Sequence, residues 1–463
     1  MPLLSPKFAK EGSARYERTS ETGHLVFDLP KYGDGVCLAR VAELLDAVAV
    51  DRERLSRVSV VVTGSNGKGS TAAFCAGIAH AYGLRTGLFT SPHLYRFNER
   101  FQIDGAAIGD EDLARLVLRI ETAITGLSQR GHQQFGAFEA LFALACLYFA
   151  EQGCDFAVFE AGIGGRYDPV RLVGTRFTCV TSVDYEHVEL LGNSLELIAA
   201  DKSDACASGG AIVYGENCRS LRPHIIEYNR YRKVASLFVG DEIRLGSETV
   251  AASGQRFDLE FEGYDFRRLE MSLRGAFQFN NAAIAVAMFL LWLRHARPTE
   301  AAAGIEAAVR SGLRDISWPG RLEVINQDPL AVIDVGHTPD GIRQSLASLK
   351  AAYGAEDWIL VVGVSRDKKA DEIVGALAPS FDTIICTAAH HKGAEADDIA
   401  AAARKANPEA TIQIAATIED AVAVGHSLAV SQKRRIYVAG GLFLAVEYAT
   451  VARGGRAEDL KFF

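Results

Sequence analysis

The sequence predicts an α/β protein in two parts: a P-loop-type, doubly wound N-terminal domain with an added antiparallel segment, and a smaller Rossmann-like α/β domain behind it. Three observations carry this. Runs of β-branched residues alternate with helical stretches along most of the chain, the pattern of a largely parallel sheet covered by helices. The first buried run ends in a glycine-rich turn, from which a lysine opens a helix. A stretch at 311–321, SGLRDISWPGR, holds two glycines and one proline with little apolar periodicity, and separates one such series from the next. The expected domains are therefore 1–318 and 319–463.

In chain order, residues 57–63 (RVSVVVT) read as a buried strand and 68–82 as an alanine-rich helix. A short strand follows at 86–90, then a helix at 110–127 with Asp110 as its N-cap. The helix expected at 135–152 is apolar on most faces and so should be buried. Strands are expected at 155–160 and 177–183. Between about 242 and 273 the pattern changes: RFDLEF and RRLEMSL alternate as antiparallel strands with one wet face do. Two alanine-rich helices follow, at 279–295 and 298–311. Beyond the junction, five strands are expected at 331–336, 358–364, 382–388, 411–416 and 435–441, with helices between them.

The 463 residues suit two or three domains, and a hydrophobic share of 49% supports a sizeable core. A net charge of −9 argues against a protein whose main task is gripping duplex nucleic acid. No apolar run reaches the roughly 18 residues of a membrane span; the longest lies around 140–150. The first twenty residues lack the apolar stretch of a signal peptide, so no membrane partner and a cytoplasmic location are expected. Eight cysteines without a CxxC pair read as small reduced core residues.

The strongest chemical signal is VVVTGSNGKGST at 60–71: a buried strand, a glycine-rich turn, a lysine and a helix start. Gly64, Ser65, Asn66, Gly67, Lys68, Gly69, Ser70 and Thr71 form the candidate phosphate cradle. Glycines let backbone N–H groups approach phosphate oxygens, and the helix start adds partial positive charge. Lys68 can reach the terminal phosphates, and Ser70 or Thr71 can ligate Mg²⁺. The match to GxxxxGK[ST] is imperfect: Val62 stands at the first glycine and Gly69 follows the lysine. A tight turn without a ligand is the competing reading.

This loop variant resembles that of the Mur-type amide ligases, and within them the folylpolyglutamate synthase/dihydrofolate synthase family. Further blocks resemble that family in order: TGLFTSPHL (86–94), FNER (97–100), FE (138–139), FEAGIGGRYD (159–168), TSVDYEHVELLGNSLELIAADKSD (181–204), LRGAFQFNNAAIA (273–285), PGR (319–321), DVGHTP (334–339), VVGVSRDKK (361–369) and VAGGLFLAVE (438–447). The resemblance implies an ATP-dependent ligase. A carboxylate takes the γ-phosphoryl group as an acyl phosphate, and an amine, usually that of glutamate, displaces the phosphate. ATP and Mg²⁺ are the implied cofactors, and a small carboxylic acid and an amino acid the implied partners. Oligomeric state stays open, a monomer being compatible with the sequence.

The resemblance also implies roles. Ser91, Glu160 and His187 match the Mg²⁺ ligands, with Ser70 beside them. From position alone, Ser91 and Glu160 end strands, where ligands of doubly wound sheets gather; a turn serine, a salt-bridged glutamate and a core-edge histidine are the ordinary alternatives. Lys202 matches the family lysine that can carry a carbamate, against a solvated lysine paired with Asp201 or Asp204. Asn280 and Arg321 match nucleotide-side residues, Asp334 and His337 the pair reaching the nucleotide from the C-terminal domain, and Lys368 a family lysine. The implied catalytic set is Lys68, Lys202, His187 and Arg321. Departures fall at 168–171 (DPVR), Phe277–Gln278, Thr338, Phe142 and the loop AAHHKGAEA (388–396), whose His390 and His391 read as substrate-side loop residues. The acid is thus left between a folate and another small acid. A nucleotide-binding scaffold without turnover and, more remotely, a small-metabolite phosphotransferase are the readings from other classes.

Overall fold

The computed structural model of the chain describes residues 29–30, 33–35, 37–129, 134–252, 254–297 and 304–462. The segment 1–20, read for a signal peptide, lies outside them. The N-terminal domain begins with α1 (Leu38–Ala47) and α2 (Arg52–Val58), followed by β1 (Ser59–Thr63), α3 (Lys68–Ala81), β2 (Thr86–Phe89), β3 (Phe101–Ile103), β4 (Ala106–Ala107), α4 (Asp110–Gln129), α5 (Ala137–Glu151), β5 (Phe156–Glu160) and β6 (Phe177–Val180). It continues with α6 (Val188–Leu191), α7 (Leu195–Ser203), β7 (Ala211–Tyr214), α8 (Arg222–Tyr231) and β8 (Ala235–Phe238). These build an eight-stranded sheet in the order β4-β3-β2-β5-β1-β6-β7-β8, parallel except for β3 and β4 at one edge.

A separate three-stranded antiparallel sheet of β9 (Arg244–Ala251), β10 (Gly254–Phe261) and β11 (Tyr264–Met271) then packs its apolar face onto α9 (Phe277–Ala296). Its alternating burial is the one-wet-face pattern read in the sequence. The longest apolar run is not 140–150 but Ala282–Leu293, inside α9, which alone among the described helices could cross a bilayer by length and hydropathy. It is instead a core helix, with Ala282 to Leu293 all at or below 4% exposure and wedged between the two sheets.

Sequence and structure part at several boundaries. Residues 57 and 58 belong to α2, because Asp51 accepts the Arg54 N–H as an N-cap and starts a helix that runs directly into β1. Asp110 is the first residue of α4 rather than its cap. The helix read at 298–311 is α10 (Ile305–Arg314); residues 298–303 lie outside the described set. Gly312 signals close packing rather than a loop: a Cβ there would sit 2.4 Å from the Ile78 Cα, so α10 crosses α3 at backbone contact. The strand read at 177–183 stops at Val180, and 181–187 forms a loop. The strands β7 and β8, four residues each, were too short to show periodicity.

The C-terminal domain comprises β12 (Glu323–Gln327), β13 (Leu330–Ile333), α11 (Pro339–Tyr353), β14 (Trp358–Val362), α12 (Ala370–Leu377), β15 (Thr383–Cys386), α13 (Ala396–Ala406), β16 (Thr411–Ile414), α14 (Ile418–Gln432), β17 (Arg435–Ala439) and α15 (Leu442–Ala452). The sheet has six strands, β12-β13-β17-β14-β15-β16, not five. The extra one, β12, is an antiparallel edge whose residues are half-buried or exposed, so it lacks a clean apolar pattern. All eight cysteines are free and seven are buried.

Candidate active site

The parallel sheet of the N-terminal domain brings four strand ends together. Val62 of β1 is in register with Glu160 of β5 on one side and Cys179 of β6 on the other, and Phe89 of β2 lies beside Phe159. The loops leaving these ends therefore converge: 64–67, 90–96, 161–168 and 181–187. Ligand sites of open α/β sheets form at such ends.

The glycine loop is shaped from below by the 181–187 loop. Ser65 N donates to Ser182 O (2.9 Å), Asn66 N to Ser182 Oγ (2.8 Å), and Thr181 Oγ1 to Asn66 O (2.6 Å). Gly64 (φ 144°) and Gly67 (φ 86°) have backbones that side chains resist. A Cβ on Gly64 would lie 1.9 Å from Thr181 Oγ1, and one on Gly67 2.5 Å from Asn281 Oδ1. Glycine is thus required at both positions, because Thr181 and Asn281 pack where a side chain would start. Lys68 curls over it, its ammonium donating to Gly64 O (2.9 Å) and Ser65 O (3.3 Å). Ser70 is buried and accepts a hydrogen bond from Gln278 Nε2 (3.3 Å). The Thr71 hydroxyl is buried without a hydrogen-bond partner.

Two carboxylates face this loop. Glu160, 4% exposed, accepts the Ser91 N–H (2.9 Å), so the structure brings these two residues together. Burial raises the Glu160 pKa to about 7, against the pull of Lys68, the Ser91 N–H, Arg321 and Arg100. Glu186 forms a 2.6 Å ion pair with Lys202, whose side chain is 1% exposed. Burial works against the charge on Glu186, but Lys202, Lys68 and Ser65 overcome it and hold its pKa at about 2. Burial pulls the Lys202 pKa down. The partner of Lys202 is thus Glu186, not Asp201 or Asp204. Asp201 instead accepts the Gly165 N–H and ties α7 to the 161–168 loop. His187 follows Glu186 in a left-handed turn (φ 44°) and is exposed.

Among the described residues no group of three or more His, Cys, Asp or Glu side chains is gathered as a metal cage. A hard cation with one or two protein oxygens and the rest from phosphates and water is what Mg²⁺ uses at nucleotide sites. The Glu160 carboxylate, held by the Ser91 N–H near the glycine loop, is of the donor type such a cation takes, and the hydroxyl of Ser91 is another.

The C-terminal domain supplies the opposite wall. Thr338 caps α11, accepting the Gly341 N–H, and its hydroxyl lies 3.4 Å from Asn66 Oδ1 in the glycine loop. Arg321 acts electrostatically on Glu160, Asp334 and His337. His337 is exposed by surface area, yet desolvation by the surrounding protein and the cations Lys368, Arg321 and Lys68 lower its pKa to about 4. It is therefore neutral at pH 7. Asp334 is spent on its own turn, accepting Leu322 N, Gly336 N and Ser345 Oγ. Asn280 ties two neighbouring segments, accepting Glu216 N (2.8 Å) and donating to Thr181 O (3.3 Å); its neighbour Asn281 is the one against the glycine turn.

The departures from the family pattern have local explanations. Asp168 is buried and accepts N–H groups from Gly162, Ile163 and Val170, closing the 161–168 loop, with burial raising its pKa to about 6. Asp168→Asn turns an NH₂ group toward these donors. It is expected to cost about 1–3 kcal/mol in urea unfolding; an unchanged midpoint would remove the loop-closing role. Phe142 is a core residue. His390 and His391 are loop residues, both donating their backbone N–H to the buried Glu447 carboxylate, which also pairs with the His391 ring (2.9 Å).

Sequence reasoning missed Glu186, Arg100 and Asn281. The first had one available signal: a lysine on an otherwise apolar helix face demands a carboxylate, and the DYEH turn offers one.

The chain is similar in sequence and fold to known proteins. The Mur ligase middle domain matches residues 62–289, and the Mur ligase glutamate ligase domain matches 320–442. The chain is 30% identical over 349 residues to a Bacillus subtilis dihydrofolate synthase/folylpolyglutamate synthase, spanning 75% of this chain and 80% of the relative. A Mycobacterium tuberculosis folylpolyglutamate synthase complexed with ADP superposes with a TM-score of 0.83 at 26% identity, over 92% of this chain and 96% of that one. A structure described as an FPGS–AMPPCP–folate complex gives 0.74 at 27% identity, over 91% and 96%.

Proposed function

Since the chain belongs to the folylpolyglutamate synthase/dihydrofolate synthase family of Mur ligases, we propose that it joins glutamate to a folate-type acid through an acyl phosphate formed at the glycine loop. The enzyme is an ATP-dependent acid–amino-acid ligase. The observation that carries the site assignment is the meeting of both domains at the turn after β1, where Thr338 Oγ1 lies 3.4 Å from Asn66 Oδ1 and Lys68 lies over the loop, with Glu160 and Arg321 in electrostatic reach.

The chemistry follows from these positions. A carboxylate oxygen attacks the γ-phosphorus of ATP, giving an acyl phosphate and ADP. The amine nitrogen attacks the acyl carbon, loses a proton, and expels inorganic phosphate. Lys68 and the N-terminus of α3, which starts at this lysine, offset the negative charge spread over the transferring group. Arg321, arriving from the other domain, adds positive charge only when the domains face each other. That arrangement also keeps water from the acyl phosphate. Glu160 and Ser91, with Ser70 nearby, would hold Mg²⁺, which when bound neutralises β- and γ-phosphate charge. Neutral His337 contributes no charge of its own at pH 7. Lys202 is either the protonated partner of Glu186 or, once carbamylated, a further anionic group.

The reading is tested by a phosphate-release screen of dihydropteroate, reduced folates and other small acids against a panel of amino acids. Phosphate is expected only when an acid and an amine are both present, and most with a pteroate or folate plus glutamate. Amide product without nucleotide consumption would overturn it. A pH prediction follows from Glu160. Below about pH 7 its carboxyl binds a proton that Mg²⁺ must displace. Half-saturating Mg²⁺ should therefore rise as pH falls through 7, and Glu160→Gln should flatten the trend while raising the requirement. A metal requirement indifferent to both would take Glu160 out of the site.

A further inference from the structure

The loop 91–96 (SPHLYR) belongs to the N-terminal domain, where Glu99 accepts the Leu94, Tyr95 and Arg96 N–H groups, but it also packs against the other domain. Leu94 and Tyr95, like Phe443, pack against the apolar cluster that holds Val335 and Leu444. The Tyr95 hydroxyl accepts from Arg453 Nη1 (3.2 Å), and Arg453 is itself paired with Glu323 (2.5 Å). His93 is 3% exposed. Its Nε2 is 2.8 Å from the Lys461 carbonyl, and the Phe462 ring stacks on its imidazole at 6.4 Å and 6°. Phe462 is anchored in turn by edge contacts with Phe443 (4.8 Å) and His391 (4.9 Å).

The other side of His93 faces the site. Arg100 Nε donates to His93 Nδ1 (2.9 Å). An arginine N–H requires an acceptor, so the imidazole proton sits on Nε2, where it serves the Lys461 carbonyl. Arg100 is 2% exposed, and its guanidinium acts electrostatically on Glu160. The same loop begins with the Ser91 N–H that binds the Glu160 carboxylate. One short loop thus holds Glu160 at one end and the segment 453–462 at the other.

We propose that loop 91–96 is an interdomain latch: the segment 453–462 fixes His93 and Tyr95, and His93 positions Arg100 and Ser91 against Glu160, so that seating of the C-terminal domain sets the geometry of the carboxylate. His93 is a positioning residue and has no contact role with substrate. The catalytic readout below rests on the ligase reading; the exchange readout does not.

The test compares three full-length variants with the parent. His93→Phe keeps the ring on Phe462 but removes both hydrogen bonds. His93→Gln retains an acceptor for Arg100 and a donor for Lys461. Phe462→Ala loosens the latch from the far side. In nucleotide-free protein, amide hydrogen exchange over 93–100 is expected to quicken on the order of tenfold in His93→Phe and Phe462→Ala, and to stay within about twofold of the parent in His93→Gln. In phosphate release, half-saturating Mg²⁺ should rise on the order of 10-fold in the first two variants, as losing a group that orients a metal ligand does, with kcat less affected and His93→Gln near the parent. Exchange at 93–100 unchanged in His93→Phe, an unchanged Mg²⁺ requirement, or His93→Gln as impaired as His93→Phe would each overturn the latch. A parent that releases no phosphate would sink the ligase reading, and the exchange comparison alone would then decide the latch.

Discussion

Lys68→Ala is expected to lower ATP-dependent phosphate release by ~10²-fold or more while leaving the thermal transition close to that of the parent. The activity loss follows from what the lysine offsets. It is the cation carried by the glycine loop itself, and its field reaches Glu160, Glu186 and His337. The small stability effect follows from its contacts: the ammonium bonds only carbonyls of its own loop, Gly64 and Ser65. Truncation removes no contact beyond the loop, and of the two residues left without their donor Ser65 is half-buried and Gly64 buried. Turnover and differential scanning calorimetry on the same preparation separate the two effects. Near-parent turnover would refute the assignment of the loop, and a large loss of melting temperature would make the residue structural.

Lys202→Ala is expected to have a comparable effect on turnover, for a different reason. Its ammonium is buried and paired with Glu186, so removal leaves a carboxylate beside the phosphate loop with only Lys68 to balance it. That added negative charge opposes the incoming phosphates. Burial also lowers the Lys202 pKa, which raises the share of neutral amine able to capture carbon dioxide. If the working form is the carbamate, formate or acetate should partly restore Lys202→Ala by filling the space as a carboxylate. If the working form is the ion pair, no acid will restore it. Glu186→Gln will then destabilise the fold by about 3–5 kcal/mol, because it strands a buried ammonium. Denaturant unfolding of Glu186→Gln beside the rescue assay decides between the two.

How much of this was legible in the sequence depended on the range over which each signal acts. The turn at 64–67 could be read because strand, glycine and lysine are contiguous, and the structure gives each a steric reason. The β9–β11 segment could be read because alternation is a local pattern. Glu186 had only an indirect signal, since its importance comes from a lysine sixteen residues away that α7 buries against it. Asn280 and Asn281 are adjacent and identical in type, and only the helix phase of α9 decides which one faces Gly67. The helical extent of α10 was hidden because Gly312 serves a backbone crossing with Ile78, a contact that lies far off in sequence. The edge strand β12 has its solvent face and core face blurred by half-burial, so periodicity had nothing to grip.

The most direct measurement follows the oxygen. With the acid substrate labelled by ¹⁸O in its carboxylate, and ATP and glutamate unlabelled, activation at the γ-phosphorus transfers one labelled oxygen to each phosphate released. The expected result is one ¹⁸O per inorganic phosphate, formed in step with the amide. Amide formed alongside unlabelled phosphate would contradict the central claim.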